Sequence, residues 1–548
     1  MIRRIWQWSE RPIETLGGAA FIIALAGVAS RVLGFLRDRL LASSFGAGDI
    51  LDAYYAAFRL PDLVYGLLVL GALSAAFIPV FTELVAHDER GKAWRLAQGA
   101  LQWLVIVLGG AALVGIVFSG QIAVWIAPGF SPEKQDLVAS LTRVMLLSPI
   151  FLAVSAVIGG VLVSFKQFLA YSFAPVFYNL GIIFGIIVLY PAFGTNGLAF
   201  GVVLGSLLHV LVQLPAFRRA GYRLNVLPMK ETFSDLALRK VVRLMAPRSL
   251  AMAVNQISLI IVTVFSSTLI SGSLAAFTLA INIQSVPLGL FGIAFSLASF
   301  PVLATLAAKR EEEEFFSVFA KTARRILYFV LPLSLFFIIF RAEIVRIVLG
   351  TGAFNWEDTI LTFTVLGWLS VSLFAQSLIP LFVRTFFALQ DTKTPLFAAL
   401  FSEAVHLSLI PFLLPQYAVA GIAIAFSVGA ITNVAILYYF LRRRVTAWRD
   451  WELLSGIARI ALIALMSAVV AQYSKGIFAL TIDRLDTFLE VAVKLGVGVV
   501  IGVATYISFS ALLSLPEYVQ IKRFIWCRLL RRPETVALTE DHPERGDW

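Results

Sequence analysis

Cysteine is nearly absent: Cys527 is the single one in 548 residues, and histidine is limited to His87, His209, His406 and His542. One cysteine cannot build a disulfide framework, and four scattered histidines offer neither a zinc-ligand spacing nor a Cys/His catalytic pair. Redox and metal chemistry are therefore poor expectations, and no metal or cofactor is expected. Charged residues are scarce as well, at 14%, against about 25% in ordinary soluble domains. A phosphate loop of the GxxxxGK[ST] type is missing, and no nucleophile comes with a placed base, so neither ATP-driven transport nor an enzyme is expected. What is abundant is apolar surface, with 59% hydrophobic residues. A span of the hydrocarbon core takes about 20 mostly apolar residues, so the composition predicts an all-α polytopic membrane protein.

Apolar runs of spanning length lie near 16–42, 53–82, 97–126, 138–163, 171–190 and 196–217. After a polar break they resume near 246–271, 274–306, 325–350, 359–388, 395–414, 418–440, 455–473 and 489–514. This predicts about 14 transmembrane helices. The first run exceeds a signal peptide's apolar core and lacks a clear cleavage site, so it reads as the first span. The polar break from Arg218 to Arg243 includes Arg219, Arg223, Lys230, Arg239 and Lys240. The layout predicts an N-terminal lobe of six helices in 1–217, a basic connection in 218–245 and a second six-helix lobe in 246–441. Two additional helices in 442–515 and a tail in 516–548 complete it; the repeat is inferred from layout alone.

A formal charge of +11 invites a nucleic-acid reading, but the distribution of the cations argues against it. Lys and Arg collect in the connections after even-numbered spans, with Lys134, Lys475 and Arg484 the chief exceptions, which predicts both termini in the cytoplasm. The basic tail, with Lys522, Arg523, Arg528, Arg531 and Arg532, is then topogenic or rests on anionic membrane lipid. Beyond Pro533 the sequence is polar and reads as disordered, and the acidic run Glu311 to Glu314 reads as a solvated helix face.

The informative residues are charges inside apolar runs, where they need a partner or a water-filled cavity. In the first run Arg31 and Asp38 are seven residues apart and expected on one helix face, with Arg37 and Arg39 pointing elsewhere. The second run repeats the spacing with Asp52 and Arg59, followed by Pro61 and Asp62; the proline should kink the helix and free a carbonyl. Two readings stay open. In one, Arg31, Arg37 and Arg59 line a hydrated cationic cavity and hold an anionic group such as a diphosphate, while Asp38 and Asp52 orient them. In the other, Arg31 with Asp38 and Asp52 with Arg59 are structural pairs. Secondary candidates are Arg248, Asn255, Asn282, Arg384 and His406. Asn255, Gln256, Asn282 and Gln284 read most simply as interhelical hydrogen-bonding groups. Glu403 and His406, three apart, form either a titrating pair or a satisfied interior histidine.

Several strings carry a resemblance: SRVLGFLRD (Ser30 to Asp38), DAYYAAFRLPD (Asp52 to Asp62), GALSAAFIPVF (Gly71 to Phe81), NGLAFGVVLGSLLHVLVQLPAFRR (Asn196 to Arg219), NQISL (Asn255 to Leu259), SVPLGLFGIA (Ser285 to Ala294) and RTFFALQDTKTP (Arg384 to Pro395). Together, over about the first 445 residues, the sequence resembles the MurJ/MviN family, lipid II flippases of the multidrug/oligosaccharidyl-lipid/polysaccharide exporter superfamily. The resemblance implies two six-helix lobes around a cationic cavity and two last helices forming a groove for a lipid tail. It also implies that Arg31, Arg37, Asp38, Asp52 and Arg59 match charged family positions. The chain departs from the pattern in places. Tyr65-Gly66 and Leu70 stand where the family usually has a basic pair and an acid, and Asn282 and Ser285 where it usually has Arg and Glu. Val262 stands where some members have an aspartate proposed to help bind sodium.

The expectation is therefore a flippase that moves an undecaprenyl-pyrophosphate-linked saccharide, lipid II or a relative, from the inner to the outer leaflet by alternating access. Alternatives are export of another polyprenyl-linked glycan or amphiphile, or a non-transporting envelope-synthesis scaffold. A monomer in the bacterial cytoplasmic membrane is expected, open to cell-wall synthesis partners.

Overall fold

The computed structural model describes residues 16–70, 77–222, 228, 231–232, 235–481 and 488–529, with the side chains of 16–21, 70, 244–253, 476–481 and 524–529 left aside. The tail cations Arg528, Arg531 and Arg532, with Arg223, Lys230, Arg484, residues 71–76 and the side chains of Leu70 and Arg248, lie outside this description.

Every regular element among the described residues is a helix. Ten are long and apolar enough to cross a membrane, and eleven if Trp356–Val371 and Leu373–Ala388, bent by 47° at Ser372, form one broken span. The remaining expected runs are also helical: Leu16–Phe45 is continuous over 30 residues, Leu236–Ser267 over 32, and the second run begins as Asp49–Ala57 and Arg59–Tyr65. The expected count of about 14 is compatible with this set. A multi-pass membrane protein follows from it, because intrahelical bonds satisfy the backbone where water is absent.

Pro61 acts as expected. It has no N–H to give the carbonyl of Ala57 four residues back, and that carbonyl accepts from Thr142 Oγ1 at 3.4 Å instead. The run then widens into a π-helical turn at Gly66–Leu70.

Packing divides the chain into two units. The first comprises residues 1–283, 344–369 and 396–432; the second comprises 284–343, 370–395 and 433–548. In the first unit, Gly181 and Gly185 of the Phe168–Phe184 helix and its π-helical continuation face Gly201 and Gly205 of Asn196–Leu211. A Cβ on Gly181 would lie 2.2 Å from Gly205 Cα, and one on Gly185 2.5 Å from Gly201 Cα. The repeat of glycine every fourth residue, Gly197, Gly201 and Gly205, thus lets two backbones touch, as small residues do where lipid removes the hydrophobic drive between helices. An aromatic group of Phe81, Trp94, Phe165, Phe217 and Tyr222 closes one part of this unit's core.

The second unit packs around Tyr328, Ile460, Ile463, Ala464, Tyr506 and Leu515. Tyr506 donates its hydroxyl to the carbonyl of Tyr328 at 2.7 Å. Its buried charges are paired: Glu343 meets Lys475 at 2.8 Å and Lys494 at 4.0 Å, and Arg324 meets Glu517 at 3.1 Å.

Candidate functional site

A cavity of about 240 Å³ opens in the first unit, lined by Arg37, Tyr54, Tyr55, Arg59, Asp62 and Asn282 among others. The Leu16–Phe45 helix supplies Arg37, the broken second run supplies the two tyrosines, Arg59 and Asp62, and Ser273–Pro287 supplies Asn282.

Arg37 is held rigidly. Its Nε and Nη2 donate to Asp38 Oδ1 at 3.0 and 2.8 Å, and its Nη1 donates to Asn179 Oδ1 at 3.1 Å. Asp38 is itself fixed, because its Oδ2 accepts from Asn282 Nδ2 at 2.9 Å. Asn179 in turn donates to the carbonyls of Ser30 and Pro175. The expected division of the helix into an Arg31 and Asp38 face, with Arg37 elsewhere, is thus corrected. A long arginine can fold back onto its neighbour, and the planar fork gains two bonds to one carboxylate.

Arg59 is held by much less. Its side chain is buried, with 7% of the residue exposed, and its Nε donates to Thr263 Oγ1 at 2.7 Å. Among the described residues it has no ion pair, and its two terminal amino groups make no hydrogen bond. Asp62, on the same cavity, offsets its charge only through space, and a buried, always-charged guanidinium without a bonded anion is costly. The hydroxyl of Tyr55, buried beside it, also has no partner.

Asp52 does not orient Arg59. Its Oδ1 accepts from the backbone N–H of Ala275, and its Oδ2 from the N–H of Gly272 and from Lys134 Nζ, each at 2.8 Å. The physical reason is the start of the Ser273–Pro287 helix, whose first N–H groups lack intrahelical acceptors and attract a carboxylate. Lys134, which sequence reasoning treated only as an exception in the charge count, completes this cluster with Asp49 at 2.7 Å and lies 3.8 Å above the Phe130 ring.

The other candidates are dispersed. Arg31 is exposed and lines a different cavity with Ser155, His209 and Gln213. Arg39 donates to the carbonyl of Ile347 at 2.6 Å. Asn255 is exposed and Val262 is buried. His406 is buried with its Nδ1 2.9 Å from Glu403 Oε1, on the Lys393–Tyr417 helix of the first unit. Arg384, in the second unit, donates to the carbonyl of Ile293 at 3.4 Å. Asn179 and Thr263 were missed. A lone asparagine in an apolar run after Pro175 is a signal that could have been read; a threonine at 263 gives none.

A profile described as Lipid II flippase MurJ matches residues 41–507. The chain belongs to the MurJ family. A probable lipid II flippase MurJ of Rhizobium meliloti (strain 1021) is 30% identical over 471 residues, 84% of this chain and 85% of its own. That of Buchnera aphidicola subsp. Acyrthosiphon pisum (strain APS) is 28% identical over 496 residues, 88% and 95%. The Lipid II flippase MurJ of Burkholderia cenocepacia is 28% identical over 425 residues, 76% and 81%. In fold, the chain matches a lipid II flippase MurJ structure in an inward closed conformation with a TM-score of 0.74 at 22% identity, covering 93% of this chain and all of that one. An inward-facing MATE transporter of the MOP superfamily matches with a TM-score of 0.63 at 17% identity, covering 76% and 95%. Asn282 serves here as a donor to Asp38.

Proposed function

We propose that this MurJ-family chain is a lipid II flippase that carries the undecaprenyl-pyrophosphate-linked saccharide from the inner to the outer leaflet by alternating access. The observation that carries the reading is Arg59, a buried cation whose two terminal amino groups make no hydrogen bond among the described residues, in a cavity shared with Arg37 and Asp62. A diphosphate supplies what that geometry lacks: oxygens for the unbonded N–H groups of Arg59 and negative charge beside a guanidinium that forms no ion pair among the described residues. Arg37 arrives already oriented by Asp38 and Asn179, so little rotamer freedom is lost on binding. Desolvation of the headgroup is offset by these contacts, and the polyprenyl tail stays in lipid.

Asp62, lining the same cavity, limits the positive charge of the empty site. With both termini cytoplasmic, as the positive-inside distribution indicates, the Asp52 and Lys134 cluster faces the outside of the cytoplasmic membrane and must open there to release cargo. The protein acts as a monomer in this reading, and the chemistry is transport, with no bond made or broken.

The test is rescue of a bacterium depleted of its own lipid II flippase, with the chain and its Arg37→Ala and Arg59→Ala variants at matched membrane abundance. Growth restored by the parent chain and reduced at least tenfold in both variants is expected. Equal rescue by all three, with folded protein in the membrane, would remove the arginines from the mechanism.

A further inference from the structure

Six residues before Arg37 on the Leu16–Phe45 helix, Arg31 lines a second cavity of about 540 Å³ in the first unit, more than twice the 240 Å³ of the cationic one. Its lining differs in kind. Among the described lining residues Arg31 brings the only permanent charge, and the other polar groups are Ser30, Tyr65, Ser155, Tyr171, Ser172, His209 and Gln213. No carboxylate is among the described lining residues.

Gln213 is fully buried and held by its nitrogen. Its Nε2 donates to Ser155 Oγ and, at 3.0 Å, to the carbonyl of His209, while Ser155 Oγ lies 2.5 Å from His209 Nδ1. Its Oε1, however, has no hydrogen-bond partner among the described residues, and neither has the buried hydroxyl of Ser172 on the same cavity. Buried amide oxygens and hydroxyls in folded proteins nearly always find a partner, and an exception calls for a ligand or a water. Here two such atoms line one space whose size falls in the range of about 300–1,000 Å³ typical of small-molecule pockets.

The lining also selects. A cation is repelled by Arg31 and meets no carboxylate, and a hydrocarbon tail would leave Gln213 and Ser172 unsatisfied. A neutral group rich in hydroxyls and amide N–H donors satisfies both, since Gln213 Oε1 needs a donor and a serine hydroxyl can give or accept.

We propose that this cavity is the glycan subsite: Gln213 Oε1 and Ser172 Oγ hydrogen-bond hydroxyl or acetamido groups of the uncharged saccharide portion of the headgroup. The subsite rests on the flippase reading above and adds specificity to it. The diphosphate is held by charge at Arg37 and Arg59, and the sugar is read by neutral hydrogen bonds at Gln213 and Ser172.

The experiment compares two probes on the purified full chain in detergent: lipid II, and undecaprenyl diphosphate carrying no sugar. The parent chain binds both, and lipid II more tightly. Ser172→Ala removes a hydroxyl with no partner in this structure, so the fold is not at stake; Gln213→Leu is checked by thermal unfolding. Expected are losses of lipid II affinity of about threefold for Ser172→Ala and about tenfold for Gln213→Leu. Affinity for the sugar-free diphosphate shifts by less than about twofold in each. Equal losses on both probes would make the cluster a packing element, and no loss on either would leave a cavity that holds water only; each overturns the subsite while the flippase reading stands. A parent chain that binds neither probe overturns both readings.

Discussion

Asp52 and Arg59 are both buried and stand seven residues apart, yet they sit in clusters of opposite character. At Asp52 both carboxylate oxygens are filled by protein, through Lys134 and the N–H groups of Gly272 and Ala275. At Arg59 the described residues supply one hydrogen-bond acceptor, Thr263, and the rest of the guanidinium faces a cavity that it shares with Asp62. A charge whose partners all come from the fold holds helices together. A charge left with partners missing marks where a ligand completes the structure. The same residue spacing served two purposes, and only the identity of the neighbours separates them.

The sharpest way to break this contrast is to remove each charge in turn. Asp52→Ala leaves Lys134, whose side chain is 9% exposed, with Asp49 as its remaining acid, and uncovers the N–H groups of Gly272 and Ala275 at the start of the Ser273–Pro287 helix. Losing one partner of a buried pair costs about 3–5 kcal/mol, so a large fall in thermal unfolding temperature is expected in detergent. Arg59→Met removes a buried charge that forms no ion pair among the described residues and leaves Asp62 without its through-space cation, so the unfolding temperature falls by less than in Asp52→Ala, while the stabilisation conferred by added lipid II disappears. If Arg59→Met unfolds as readily as Asp52→Ala, the two clusters are alike after all.

A smaller substitution tests how Arg59 is aimed. Thr263 Oγ1 donates to the carbonyl of Leu259 at 2.8 Å and so presents a lone pair to Arg59 Nε. Thr263→Val keeps the shape and removes that acceptor. The arginine is freed to wander, and lipid II affinity should fall about fivefold, the equivalent of one hydrogen bond near 1 kcal/mol. Binding titration of the variant beside the parent reads this directly, and an unchanged affinity would show that the ligand alone orients Arg59.

Much of the helical frame was legible because apolar runs of spanning length have few other uses, and among the described residues the expected runs fall largely on helix. Pro61 was legible for the same kind of reason: a missing N–H has one consequence, and the Ala57 carbonyl turns to Thr142. The cavity was legible only in part. Their place inside apolar runs marked Arg37, Asp38, Asp52 and Arg59 as charges needing partners or water, but helix periodicity could not choose the partners. Asp38 took the adjacent Arg37 because a flexible side chain ignores the ideal face, and Asp52 took Lys134 and Gly272 from segments 82 and 220 residues away. The GxxxGxxxG spacing of Gly197, Gly201 and Gly205 was readable as a close helix contact. Its partner at Gly181 and Gly185 needed the fold.

The mildest probe of the closed cluster is pH. Hydrogen bonds from Lys134 Nζ at 2.7 Å and Ser271 Oγ at 2.6 Å hold the Asp49 carboxyl below its ordinary value. A carboxyl with a depressed value in the folded state adds stability above the unfolded value near pH 4 and loses it as pH falls through the folded one. The parent chain should therefore lose unfolding temperature between pH 5 and about pH 3 more steeply than Asp49→Asn, which has no proton to take up there. The effect should be the smallest of the set, because the Asp49 side chain is 68% exposed and water screens its contact with Lys134. Parallel slopes for the two proteins would mean that Lys134 is held by Asp52 alone, and that the outer carboxylate contributes nothing to closing the cluster.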